Sequence, residues 1–145
     1  AFAVPLSNES GIQADPMTIP HSLDGFDVRA AVARMLDQPG LWWQALGLFV
    51  EHFSAWEQAW QASIGDDAQE CRKVHAVGSA AANVGAVRLA SSAAAVEQGL
   101  RERLAGRAAE ELEAARRQLQ ADFRQSWQAA ADAWRANTPG PGGHA

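Results

Sequence analysis

One histidine of this chain, His75, stands where its ring would be unobstructed. It lies in the run Cys71-Arg-Lys-Val-His-Ala-Val-Gly-Ser-Ala-Ala-Ala-Asn-Val-Gly85. Read as a helix, that run places Val74, Val77, Ala81 and Val84 on one apolar stripe at three-four-three steps. At the helical turn per residue, His75 falls roughly 140° from the middle of the stripe, on the outward face. Arg72 at i−3, Gly78 at i+3, Ser79 at i+4 and Ala82 at i+7 are its neighbours there. The last three are tiny, whereas an ordinary surface helix fills this face with long polar side chains. A glycine inside a helix costs about 1 kcal/mol relative to alanine. Close approach by another molecule over His75 is the expected compensation.

Histidine in such a setting suits phosphoryl carriage. Near neutral pH an unperturbed imidazole is largely uncharged, so one ring nitrogen keeps a free lone pair. That nitrogen can attack phosphorus in line, and the labile P–N bond lets the group move on. No metal or base is required on this side if a partner supplies Mg²⁺ and an acceptor carboxylate. The plainer alternative is a solvated surface histidine, and the cleared face argues against it.

Other residues carry less chemistry. His52 sits one residue off the Phe49–Phe53 stripe and reads as a boundary histidine; His21 and His144 fall near the ends. No two of the four histidines have metal-ligand spacing on one helix, so no metal is expected. Cys71, at i−4 from His75, lacks the third orienting group and oxyanion donor of a nucleophilic site. Trp56, Trp60, Trp127 and Trp134 fall at core spacing. Trp42 and Trp43, adjacent at a helix start, cannot both face inward by periodicity, which leaves one for a partner. Arg101-Glu-Arg103 and the run from Glu110 to Arg117 read as a solvated face with i,i+4 pairs.

These residues need elements to hold them. The 145-residue chain is 48% hydrophobic, enough for one domain with a buried core. With 20% charged residues and a net charge of −5, it lacks the basic stripe of a nucleic-acid binder. A single cysteine excludes an internal disulfide and fits a reducing compartment. No apolar run reaches the length of a membrane span, so no direct membrane contact is expected.

Helical periodicity predicts five stretches: Asp27 to Leu36 with Asp27 as N-cap, Leu41 to Ile64, a third capped by Gly65-Asp66-Asp67 and running to Val84, Ala86 to Leu104, and a last one from beyond Gly106 to Asn137. Gly85 is placed to end the third. Strand alternation is absent. The expected fold is an all-α antiparallel four-helix bundle over 26–137, with a short additional N-terminal helix as a lid. Residues 1–25, punctuated by Pro5, Pro16 and Pro20, read as a linker, and 138–145 as a flexible tail.

The histidine segment resembles that of histidine-containing phosphotransfer domains, whose pattern is His-x-Leu-Lys-Gly-x-Ala-x-x-Ile-Gly-Ala-x-x-Leu. His75, Val77 for Leu, Ala81, Val84 for Ile, Gly85, Ala86 and Leu89 match. Phe26-Asp27-Val28 and the segment from Leu41 to Phe53 look like the family's opening and second helix, so the likeness covers about 25–105. Two departures stand out: Gly78 replaces the family's Lys and Ser79 its Gly.

The resemblance implies a carrier that accepts a phosphoryl group on His75 from a receiver-domain aspartate and passes it to another receiver. Its partners would be response-regulator receiver domains, which bring Mg²⁺; no cofactor is expected on this chain. Arg72, Gly78, Ser79 and Ala82 would line the docking face; Arg72, and less directly Lys73, could supply the charge that Gly78 cannot. Such domains form the C-terminal module of hybrid sensor histidine kinases, which implies a cytoplasmic setting. Ala76 follows the histidine where a kinase dimerisation helix has Glu or Asp. The reading is therefore a carrier without autonomous catalysis, monomeric when isolated. The alternatives are a degenerate module that docks a receiver without phosphotransfer, and a plain helical interaction domain.

Overall fold

The computed structural model describes residues 19–137. Within them the chain is all-α, a packed bundle of six helices: α1 (Val28–Arg34), α2 (Pro39–His52), α3 (Trp56–Ser63), α4 (Asp67–Val84), α5 (Val87–Leu104) and α6 (Leu112–Asn137). No helix among the described residues is long and apolar enough to cross a membrane. The start signals read from the sequence act as expected. Asp27 accepts from the Ala30 amide at 3.1 Å, and Asp66 accepts from the Gln69 amide at 3.1 Å.

The helix expected over Leu41 to Ile64 is broken into α2 and α3. Residues 53–55 leave the helical path, and the Ser54 hydroxyl donates back to the Glu51 carbonyl at 3.3 Å. The break re-aims two tryptophans toward α4. Trp56 Nε1 donates to the Lys73 carbonyl at 3.0 Å and Trp60 Nε1 to Glu70 Oε2 at 3.0 Å, with the two rings stacked 5.1 Å apart. A continuous apolar stripe cannot reveal such a break, because the period carries across it.

Three other expectations are corrected. Trp42 and Trp43 are both buried. Trp42 Nε1 donates to the Val84 carbonyl at 2.9 Å, while Trp43 packs on Trp134 with ring centroids 5.1 Å apart. The first turn of α2 is thus covered on two sides, and neither ring is left for a partner. The described part of the lead-in is not a free linker, since Ile19 is buried in the core and Leu23 bridges to Phe26. Residues 1–18 and the expected tail over 138–145 lie outside the described residues. Finally, Arg116 is not on a solvated face. It is buried and donates through Nε and Nη2 to Glu70 at 2.9 and 2.6 Å.

Helices α4 and α5 form the hairpin that carries His75. Gly85, in the left-handed region at φ 86°, ends α4, and the Ala86 amide closes the turn on the Ala81 carbonyl at 2.8 Å. A Cβ at Gly85 would lie 2.7 Å from the Asp27 carbonyl oxygen, so glycine also admits the start of α1 there. The Asp27 amide in turn donates to the Gly85 carbonyl at 2.7 Å. The antiparallel register is fixed at three levels along the hairpin: Gly78 against Ala93, His75 against Glu97, and Asp67 against Arg103.

The Glu70–Arg116 pair ties α4 to α6 inside the core. Removing one partner strands the other's charge, so Glu70→Ala is expected to cost about 3–5 kcal/mol. The double replacement Glu70→Leu/Arg116→Met should recover most of that loss. Urea unfolding of the three proteins checks this, and a single-variant loss under about 1 kcal/mol would show that water reaches the pair.

Candidate functional site

His75 lies on the outward face of α4, as its periodicity required, with 62% of its side chain exposed. Its ring is nevertheless held. Nδ1 lies 3.0 Å from Oε2 of Glu97 on α5, whose side chain is 17% exposed. An ionised carboxylate only accepts hydrogen bonds, so Nδ1 must carry the proton. In the neutral ring the lone pair is then on Nε2, which points away from Glu97. Ser79 Oγ lies a long 3.5 Å from Nε2.

Glu97 is in turn gripped by Arg101, one turn along α5. Arg101 Nε donates to Oε2 at 3.1 Å and Nη2 to the same oxygen, which is also the oxygen that His75 uses. Burial pushes the Glu97 carboxyl up, but the hydrogen bonds from Arg101 and His75, with their charges, outweigh it and hold the group below the usual carboxylate range. The same pairing raises Arg101 further above its ordinary value. Glu97 is therefore an anion throughout the neutral range, and the Nδ1–H tautomer is fixed with it.

Of the residues singled out by sequence, Ser79 and Ala82 share the exposed face with His75. The Ala82 carbonyl accepts from Arg34 Nη2 of α1 at 2.7 Å, so a basic side chain borders that end of the face. Arg72 is exposed and joins no ion pair among the described residues. Gly78 plays a different part from the one expected. A Cβ there would lie 3.1 Å from the Ala93 Cβ, tighter than ordinary contact. Its helix penalty is offset inside the hairpin, by the close approach of α5, and does not require an outside molecule. The reason is angular: Gly78 falls at the edge of the apolar stripe, on the seam with α5.

Sequence reading missed Glu97, which it did not single out, and Arg101, which looked like a member of a solvated charge run. The signal was present in the hairpin. His75 stands ten residues before Gly85 and Glu97 eleven after Ala86, so a helical hairpin turning there sets them opposite each other. Cys71, one turn before His75, has its thiol raised above its ordinary value, chiefly by burial, and so stays protonated. No group of three His, Cys, Asp or Glu among the described residues could hold a metal ion.

Comparison with protein-family models, with curated proteins and with solved structures finds no match to this chain.

Two outcomes test the geometry. Glu97→Ala should release Nδ1, so that ¹⁵N shifts of the His75 ring change from a dominant Nδ1–H tautomer to a mixture; unchanged shifts would mean that Glu97 does not set it. Gly78→Leu should destabilise the domain by about 1–3 kcal/mol through overpacking of the α4–α5 seam, read as a lower urea midpoint. A neutral result would return Gly78 to the open face.

Proposed function

We propose that this domain is a phosphoryl carrier of the histidine-containing phosphotransfer type, with His75 Nε2 as the acceptor atom. One observation carries the reading: an exposed imidazole whose Nδ1–H is committed to a partly buried carboxylate, leaving the Nε2 lone pair with a long 3.5 Å contact to Ser79 Oγ among the described residues. The motif likeness around His75 adds the partner, a response-regulator receiver domain with a phosphorylated aspartate and its own Mg²⁺.

The chemistry balances without a base on this chain. Nε2 attacks the phosphorus of the aspartyl phosphate as the P–O bond breaks and its electron pair returns to the carboxylate. The ring becomes a phosphoimidazolium that keeps its Nδ1 proton. Glu97 stabilises the positive charge that develops there. Onward transfer is the reverse: the P–N bond breaks, its electrons return to Nε2, and a second aspartate takes the phosphoryl group. No proton enters or leaves in either direction, which suits a carrier that must run both ways. Ser79 is placed to donate to a phosphoryl oxygen, and small Ala82 leaves room for the receiver.

The experiment is incubation with a phosphorylated receiver domain. His75→Gln should abolish labelling with the helical circular dichroism unchanged, because 62% of the His75 side chain is exposed. The label on the wild-type domain should be lost in acid and survive base, as phosphohistidine does. Labelling of His75→Gln near the wild-type level would sink the assignment. Ala82→Arg should slow transfer by steric exclusion, with a stability change within about 0.5 kcal/mol; unchanged kinetics would move the docking surface elsewhere.

A further inference from the structure

The carboxylate that orients His75 also creates a difficulty. A phosphoryl group in transfer spreads negative charge over its peripheral oxygens. Glu97 Oε2 lies 3.0 Å from Nδ1, on the same small ring as the attacking Nε2. An uncompensated carboxylate there would repel the incoming group even as it steadies the ring.

Three arginines are candidates to offset that charge. Arg72 is one turn from His75 on α4, but among the described residues it joins no ion pair and hydrogen-bonds to neither His75 nor Glu97. Arg34 of α1 is committed to the Ala82 carbonyl, two turns along α4 from His75. Arg101 is bonded to the very oxygen that holds the imidazole, which makes the Glu97–Arg101 pair neutral as a unit. Its side chain is 60% exposed, and Nη1 makes no hydrogen bond among the described residues. A donor thus remains for an anion arriving at the ring.

We infer that Arg101, rather than Arg72, is the cation of this site: it cancels the charge of Glu97 so that the oriented imidazole can accept a phosphoryl group. Arg101 is a positioning and charge-balancing residue, and the inference rests on the reading of His75 as the acceptor. It also supplies what Gly78 cannot, from the opposite helix of the hairpin.

Phosphoramidate tests this without a receiver. Nε2 forms its bond to phosphorus as the P–N bond of phosphoramidate breaks and ammonia leaves. The wild-type domain, Arg101→Gln, Arg72→Gln and Glu97→Gln/Arg101→Gln are compared by ³¹P NMR of the phosphohistidine. Arg101→Gln should slow labelling about tenfold, less than the loss of a buried oxyanion donor because solvent screens this site. Arg72→Gln should change the rate by less than about twofold, since an exposed and unpaired charge is screened. The double variant should recover most of the rate, because the amide oxygen introduced by Glu97→Gln still accepts from Nδ1 while the unbalanced charge is gone. A purely structural role for Arg101 would show no such recovery and would overturn the inference. So would an unaffected Arg101→Gln, or an equal loss in Arg72→Gln. A wild-type domain that takes no label on His75 would overturn the acceptor reading itself, and this inference with it.

Discussion

The close antiparallel approach of α4 and α5 is the constraint on which the rest of the site depends. It requires a turn that only glycine serves easily, at Gly85, and a seam without a Cβ, at Gly78 against Ala93. Once the hairpin closes, its register is set, because each helix advances by the same rise per residue. Glu97 then faces His75, and Arg103 faces Asp67 at 3.0 Å at the open end. The exposed histidine is oriented by packing elsewhere in the hairpin rather than by its immediate neighbours on α4.

The remaining helices hold that hairpin rigid by satisfying polar groups inside an aromatic core. Three indole N–H groups end on backbone carbonyls: Trp42 on Val84, Trp56 on Lys73 and Trp127 on Val50. The Val84 carbonyl belongs to the last turn of α4, where the helix leaves its acceptors unpaired, so Trp42 caps the end of the His75 helix from α2. Trp60 and Arg116 converge on Glu70, which joins α3, α4 and α6 at one buried carboxylate. Such a cluster is costly to bury and tolerates few alternative arrangements, which favours a single register among the helices.

For the proposed chemistry, rigidity matters more than added catalytic groups. Phosphoryl transfer asks the acceptor for a lone pair in the right place and for a balanced charge. Glu97 would place the lone pair by accepting the hydrogen bond of the other ring nitrogen, and Arg101 would keep the carboxylate from spoiling the charge. The exposed face of α4, with Ser79 and Ala82 beside His75, leaves the approach to phosphorus open.

The sequence by itself determined the helical class, the outward face of His75, the caps at Asp27 and Asp66, and the αL stop at Gly85. These are local: they follow from periodicity and from the backbone preferences of single residues. The tertiary structure alone decided which charges meet. Arg116 looked solvated, and Glu97 was not singled out, because a charged residue reads the same whether it faces water or a partner helix. Pairing across a hairpin or a bundle depends on register, which the helical period does not encode. Nor does the period show a break such as that at 53–55, where a side-chain hydroxyl competes with the backbone and the stripe continues unchanged. Gly78 shows the limit most clearly. The sequence showed that a side chain was missing beside His75, but only the packing of α5 showed what occupies the space.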